Sequence, residues 1–111
     1  MKKYQIQYTT QSAEDMETVF EFIARECFAP LTARRYMEGI KKEVDRLETS
    51  AGAIAIDEEL SREYGFDVRR THYKKVAIIF SIEEETAYIH HIIPQKMVIY
   101  PITKNDQKSI I

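Results

Sequence analysis

The sequence predicts an α+β domain in which an N-terminal strand and an αα-hairpin precede a three- to four-stranded antiparallel sheet packed on the helices. Three observations favour this fold class. Residues alternate with period 2 near the N-terminus, apolar residues recur at helical spacing in two successive segments, and short β-branched runs follow. With 111 residues and 44% hydrophobic content the chain is long enough for one core only, so we expect a single domain over residues 1–111.

The first two elements are a strand and a helix. From Lys3 to Thr9, tyrosine and isoleucine alternate with polar residues, which indicates a half-exposed strand. A helix from Ala13 to Cys27 follows, because its apolar residues fall on one face. Ser12, with Asp15 three residues later, is a loose form of the capping box that starts helices. Pro30 is expected to end this helix.

A second helix is predicted from Thr32 to Glu48, with its apolar residues on one stripe. Because the connection to the first helix is short, the two must fold back on each other as an αα-hairpin, and the sheet is expected to cover their apolar faces. Ile54 to Ile56 suggests a short edge strand. A short acidic helix is then expected, capped by Asp57 and closed by Gly65.

The sheet is predicted from the second half of the chain. Val68 to Tyr73 forms a basic strand, and Val76 to Ile82 alternates in the manner of a strand with one buried face. A short polar turn joins it to a strand from Ala87 to Ile93, so these two form a hairpin. Met97 to Ile102 is expected to be an edge strand, where Pro101 is permitted and where Val98 to Ile102 offers a partner a place to add a strand.

Charge limits the kinds of partner. Sixteen Lys and Arg against eighteen Asp and Glu give a formal charge of -2, so any anion-binding face has to be local. Arg69, Arg70, Lys74 and Lys75 place four positive charges in seven positions, enough for a patch that binds a nucleic acid or another target. A solvated strand whose charges pair with the acidic segment Asp57 to Glu63 explains them equally well.

Several residues have both a chemical and a packing interpretation. Cys27 is the sole cysteine, which excludes an internal disulfide and a multi-cysteine zinc site, and it falls on the apolar stripe of the first helix. His90 and His91 point to opposite faces of a regular strand, so at most one reaches an active surface, and neither has a third metal ligand at sensible spacing. The strand tyrosines can stack on bases or pack in the sheet: Tyr73, Tyr88 and Tyr100.

Other classes find little support. No apolar run approaches the roughly 20 residues that span a bilayer, and the polar N-terminus lacks the apolar stretch of a secretory signal, so a cytoplasmic protein without membrane contact is expected. A metabolite-binding domain is a weaker alternative, because the three glycines are scattered singly and form no phosphate loop.

The order of elements resembles the RelE/ParE superfamily of toxins from type II toxin–antitoxin modules, also described as plasmid stabilisation or addiction modules. The resemblance runs from Tyr4 to Met97 and lies in the order and spacing of elements. Its main features are the N-terminal strand, Ser12 to Met16 before a helix, a second helix ending near Leu47, an arginine entering the sheet, and the runs Val76 to Ile82 and Tyr88 to Ile93.

This resemblance implies a bacterial toxin that needs no cofactor or metal and is neutralised by a cognate antitoxin. RelE-like members cleave mRNA in the ribosomal decoding site, whereas ParE-like members inhibit DNA gyrase without nuclease chemistry. Cleavage through the 2′-hydroxyl needs a base, cations for the charge that develops on the phosphate, and an acid for the leaving oxygen. These requirements define the residues to consider.

The resemblance implies a candidate catalytic set. Lys75 stands where RelE-like proteins have an arginine, and Arg69 and Arg70 lie near positions where those proteins have lysines. Lys96 replaces a basic pair, and Tyr100 lies near a C-terminal tyrosine of the pattern. With His91 added as one of the two strand histidines, the candidate set is Arg70, Lys75, Lys96, His91 and Tyr100.

Ribonucleases of the family tend to be basic, so the missing second basic residue and the acidic net charge weaken the resemblance to RelE-like ribonucleases. RNA cleavage and gyrase inhibition both remain open at this point. An alternative hypothesis follows, in which a degenerate, non-toxic member of the family acts only as a protein-interaction module.

Overall fold

The computed structural model of the chain describes residues 3–26 and 29–94. Its architecture is the predicted α+β fold, with helices packed on one face of a four-stranded sheet. The elements are β1 (Gln5–Tyr8), α1 (Thr10–Glu21), α2 (Pro30–Ser50), α3 (Glu58–Tyr64), β2 (Arg69–Tyr73), β3 (Val76–Glu83) and β4 (Thr86–Pro94). The expected edge strand from Met97 to Ile102 lies outside the described residues.

The N-terminal strand is part of the sheet. The strand order is β1-β4-β3-β2, and the last three strands in the chain form the predicted antiparallel set. β1 joins them by pairing parallel to β4, from Gln5 opposite Thr86 to Tyr8 opposite Ile89. The sheet is therefore mixed.

The helix start is one detail in which the prediction was wrong. Thr9, not Ser12, is the N-cap of α1, and its side-chain oxygen accepts a hydrogen bond from the backbone N–H of Ser12. The hydroxyl of Ser12 donates back to the carbonyl of Thr9, while the hydroxyl of Thr9 donates to the carbonyl of Ile89 in β4. Thr9 is therefore the one residue between β1 and α1, and it also contacts β4. The helix begins as soon as the strand ends.

The connection between the helices also differs from the prediction. After Glu21 the helix widens into a π-type turn, Phe22–Glu26, and Cys27 lies outside the described residues. Pro30 does not end α1. It is the first residue of α2, where its missing N–H leaves no hydrogen bond unmade and its fixed φ suits the helix.

The core lies between the helices and the inner face of the sheet. Val19 from α1 and Ile40, Val44 and Leu47 from α2 are buried there, as their helical spacing predicts. The sheet contributes a matching set of buried side chains: Val76, Ile78, Phe80, Ala87, Ile89 and Ile92.

The prediction that β3 has one buried face was wrong. Every residue from Val76 through Ser81 is buried, including Ala77, Ile79 and Ser81 on the face turned away from the core. β3 lies between two other strands, so side chains of β2 and β4 flank its outer face. Because both faces of β3 are buried, its side chains form a near-continuous apolar run instead of a strict alternation.

The segment between α2 and β2 follows the prediction closely. Asp57 caps α3 by accepting a hydrogen bond from the N–H of Leu60, and Gly65 ends the helix with φ 85°, a left-handed conformation that glycine adopts without steric cost. The expected edge strand before it is reduced to one bridge, between Ile56 and Arg69.

Gly39 in the middle of α2 allows a close contact between helix and sheet. A Cβ at this position would overlap the ring of Tyr73, the last residue of β2. That ring also meets Tyr36 edge-on, with 5.3 Å between centroids. The glycine therefore lets Tyr73 pack directly on the helix backbone.

We expect Gly39→Ala to lower the free energy of unfolding. Inside a helix, replacing glycine by alanine normally stabilises the fold by about 1 kcal/mol. The added methyl enters space that the Tyr73 ring fills, and such overpacking costs about 1–3 kcal/mol. Urea denaturation of the wild type, both single variants and the double variant checks this. In a Tyr73→Ala background the same substitution should become stabilising; a gain of equal size in both backgrounds would contradict the packing argument.

Candidate functional site

The outer face of the sheet brings together two of the predicted site residues. Arg70 in β2 lies opposite Ile79 in β3, and Ile79 lies opposite His91 in β4. Residues that pair in this way project to the same face. Arg70 and His91 therefore lie in one row, on the face turned away from the helices.

A β-bulge in β4 brings the second histidine to the same face. Ile79 pairs with His91 and Phe80 with Ile89, so His90 is an extra residue without a partner in β3. The prediction that His90 and His91 point to opposite faces was wrong, because the bulge interrupts the alternation between them. Both imidazoles now contact the ring of Tyr64, at centroid distances of 6.4 and 5.8 Å.

His90 is held by a buried hydroxyl and by aromatic rings. Its Nε2 lies 2.7 Å from the Oγ of Ser81, and its ring meets Phe66 at 5.3 Å between centroids. Burial lowers the pKa of His90, the neighbouring His91 lowers it further, and Glu83 acts in the opposite direction. The lowered pKa favours the neutral imidazole.

His91 is held by the first helix. The carboxylate of Asp15 in α1 places Oδ2 3.0 Å from His91 Nδ1 and accepts a hydrogen bond of 3.0 Å from the backbone N–H of Ile92. Gln11 donates to its other oxygen. Burial, followed by the charges of Asp15 and Glu63, raises the pKa of Tyr64, so its hydroxyl stays protonated.

The two arginines of the predicted patch are engaged within the fold. Arg69 donates to the backbone carbonyls of Ala51, Gly52 and Ile54 and so holds the end of α2 against β2. Arg70 forms an ion pair of 3.2 Å with Asp57, the cap of α3. The predicted pairing of the basic strand with the acidic segment Asp57 to Glu63 is therefore present at Arg70.

The two lysines lie away from this row. Lys74 and Lys75 form the turn between β2 and β3, and Lys74 adopts φ 53°. Val76, which follows them, is three residues from Ile79, or about 10 Å along the strand. The Nζ of Lys74 lies 5.6 Å from the ring centre of Tyr73 and 6.0 Å from that of Tyr36, on the helix side. The sheet does not bring Lys75 to Arg70 and His91.

The remaining predicted residues, Lys96 and Tyr100, lie outside the described residues. Within residues 3–26 and 29–94, no three His, Cys, Asp or Glu side chains are placed to hold a metal ion. No helix in those ranges is long and apolar enough to cross a bilayer.

Sequence reasoning missed the groups that surround the histidines, namely Asp15, Tyr64, Phe66 and Ser81. One signal for the bulge is present in the sequence. The apolar core positions of β4 are Ala87 and Ile89, two residues apart, and then Ile92, three residues on. A shift of phase inside a strand is what one extra residue produces.

Comparisons with known proteins agree with this architecture. The solved structure of a chromosomal ParDE toxin–antitoxin system from P. aeruginosa is similar, with a TM-score of 0.70 and 16% identity over 83% of this chain and 96% of that chain. At this identity the similarity shows the fold. A comparison with curated proteins finds no match.

The family follows from a sequence model. The model for the ParE toxin of the type II toxin–antitoxin system parDE matches residues 6–99, most of the chain. The chain therefore belongs to the ParE toxin family. This family lies within the RelE/ParE superfamily, which the order of elements in the sequence resembles.

We expect Asp15→Ala to lower the free energy of unfolding by about 1–3 kcal/mol, because it leaves the Ile92 N–H and His91 Nδ1 without their acceptor. Urea denaturation measures the loss. Glu14→Ala, an exposed change in the same turn, is the control and should stay within about 0.5 kcal/mol of the wild type. Equal effects of the two substitutions would show that the carboxylate does not hold β4.

The lowered pKa of His90 predicts a pH dependence of stability. As the pH falls below about 6.5, the unfolded chain takes up a proton on this residue before the folded protein does. The stability that His90 contributes is complete above that pH and is lost as the pH falls through the lowered pKa.

We therefore expect His90→Gln, which can still hydrogen-bond Ser81, to lose less stability than the wild type between pH 7 and pH 5. Urea denaturation at both pH values checks this. His72→Gln on the exposed side of β2 controls for the removal of a histidine. An unchanged pH dependence in His90→Gln would contradict the assignment.

Proposed function

We propose that this chain is the toxin of a type II toxin–antitoxin pair, a single domain that acts in the cytoplasm of a bacterium and is neutralised by a cognate antitoxin. The match of the ParE toxin model to residues 6–99 is the observation that supports this role. The ParDE title of the similar solved structure supports an antitoxin as partner.

We further propose that the toxin inhibits its target, DNA gyrase, by binding it and not by cleaving RNA. The ion pair between Arg70 and Asp57 supports this choice. A ribonuclease needs a cation free to stabilise charge on the phosphate. Arg70 is the cation in the row with His91, and its charge is already offset. Asp15 beside His91 adds negative charge that disfavours a phosphate.

Ribosome-dependent mRNA cleavage is the second candidate. It is favoured by the row that Arg70 forms with His91, since a histidine held by a carboxylate at 3.0 Å can act as a general base. In that mechanism Arg70 would leave Asp57 when substrate binds. Removing either side chain would then abolish cleavage.

Induced expression in a bacterial host distinguishes these functions. We expect the wild type to arrest growth without new mRNA 5′ ends, and the purified protein to inhibit supercoiling by gyrase. The variants Arg70→Ala and His91→Ala are compared with Arg34→Ala, an exposed arginine of α2. Each is first shown to fold by thermal unfolding.

Each result assigns a function. New 5′ ends inside translated messages that vanish in Arg70→Ala and His91→Ala, but persist in Arg34→Ala, would assign RNA cleavage to the protein and contradict the proposal of gyrase binding. Harmless expression of folded wild type would overturn the toxin role and leave an interaction module.

A further inference from the structure

Phe66, just after α3, is a large apolar residue that the fold leaves in contact with solvent. It is 47% exposed, although its ring meets those of Tyr64 and His90 edge-on, at 5.8 and 5.3 Å between centroids. Ile56, before α3, is 37% exposed. Neither Phe66 nor Ile56 belongs to the core between the helices and the sheet. Exposed apolar residues that lie together are typical of interaction sites.

The turn that carries Phe66 is held on both sides. Gly65, with φ 85°, donates its N–H to the carbonyl of Ser61 at 2.8 Å. The backbone N–H of Val68 donates to the Oγ of the same serine, also at 2.8 Å. Because the backbone on either side of Phe66 is fixed in this way, little conformational entropy is lost when a partner contacts the ring.

A hollow of about 540 Å³ lies beside the Phe66 ring, next to α3. Its lining includes the apolar side chains of Ile56 and Phe66, the carboxylates of Glu58 and Asp67, and one cation, Arg62. Apolar surface next to carboxylates suits a long basic side chain. The methylene stem of a lysine or arginine packs on the apolar part, while the charged end pairs with a carboxylate.

The charge around the hollow is mainly negative. Four carboxylates of residues 58–67 form no ion pair with any residue in the described ranges: Glu58, Glu59, Glu63 and Asp67. All four belong to exposed residues. Against these four negative charges the same ten residues carry one positive charge, that of Arg62, so the formal charge of the segment is -3. A basic partner surface would be attracted to it.

We propose that Phe66 and the hollow beside it form the surface that docks on the target, and that an arginine or lysine of the target protein enters the hollow. This rests on the proposed function, because the target is the gyrase that the toxin binds. The stem of the entering side chain lies on Phe66 and Ile56, and its charge faces Glu58 and Asp67. An enzyme that binds DNA carries the basic surface that this arrangement requires.

Two other occupants fit the same surface less well. Exposed aromatic rings can stack on the bases of a nucleic acid, but its phosphates would meet the four unpaired carboxylates of residues 58–67. A second copy of the chain would bring two acidic segments together, and like charges in an interface oppose association. A basic protein surface fits both the exposed ring and the charge around it.

The test measures the binding of purified DNA gyrase to variants of the full chain, together with the inhibition of supercoiling. We expect Phe66→Ala to raise Kd about 30-fold, because it removes a central aromatic anchor. The matched control is Leu31→Ala, which truncates an exposed apolar residue of α2 and should change Kd by less than about threefold. Thermal unfolding first establishes that each variant is folded.

A second set of variants tests the charges, and these exposed substitutions are expected to preserve the fold. Glu58→Gln/Asp67→Asn should raise Kd about tenfold, because the entering cation loses both carboxylates. Glu14→Gln/Glu17→Gln removes the same charge from exposed residues of α1 and should change Kd by less than about threefold. Arg62→Gln should lower Kd about threefold, because it removes a like charge from the hollow.

The outcomes separate this inference from the proposed function. Wild type that does not bind gyrase refutes the proposed target, and this inference with it. Wild type that binds gyrase, with equal Kd values for the hollow and control variants, overturns this inference alone. Weaker gyrase binding in the hollow variants, with unchanged affinity for the purified cognate antitoxin, supports it.

Two further results would assign the hollow to another partner and so overturn the inference. One is weaker antitoxin binding by Phe66→Ala while its affinity for gyrase is unchanged, which assigns the hollow to the antitoxin. The other is a labelled single-stranded oligonucleotide that binds the wild type but is lost by both Phe66→Ala and Arg62→Gln. That result assigns the hollow to a nucleic acid.

Discussion

The carboxylate of Asp15 is the contact on which the arrangement of helix, sheet and outer face depends. β1 ends at Tyr8, so beyond Ile89 the side of β4 opposite β3 has no neighbouring strand among the described residues. The start of α1 takes its place, since Thr9 bonds to the carbonyl of Ile89 and Asp15 accepts the N–H of Ile92. The same carboxylate fixes His91. One side chain of a helix thereby completes a sheet edge and positions a ring on its far face.

The local elements of this fold could be predicted from the sequence, because each depends on signals within a few residues. The apolar stripe of α2 and the cap of α3 are of this kind. The partner of β1 could not, since 80 residues separate Thr9 from Ile89 and no local pattern records that pairing. Of the candidate site, the row of Arg70 with His91 depends on strand register, and the position of His90 depends on a bulge. Asp15 has the sequence features of a helix-start residue, which concealed its contact with β4.

Charge is distributed unevenly over the two sides of β2. On the outer face, Asp57 both caps α3 and offsets Arg70, so the position of the short helix and the local charge are set by one residue. On the helix side, the Nζ of Lys74 lies near the rings of Tyr36 and Tyr73. Three cations of α2, together with two glutamates, line a groove beside Tyr73: Arg35, Lys42 and Arg46. A net charge of -2 therefore coexists with a local excess of cations. The fold is similar to that of a solved ParDE system although only 16% of the residues are identical.

The parallel pairing of the first strand with the last described strand has a consequence for synthesis of the chain. Helices α1 and α2 leave the ribosome well before β3 and β4, so their apolar faces stay uncovered until the sheet arrives. Contacts this distant in sequence form late and slowly, because a long loop must close first. The outer face that carries both histidines does not exist until β4 has been made.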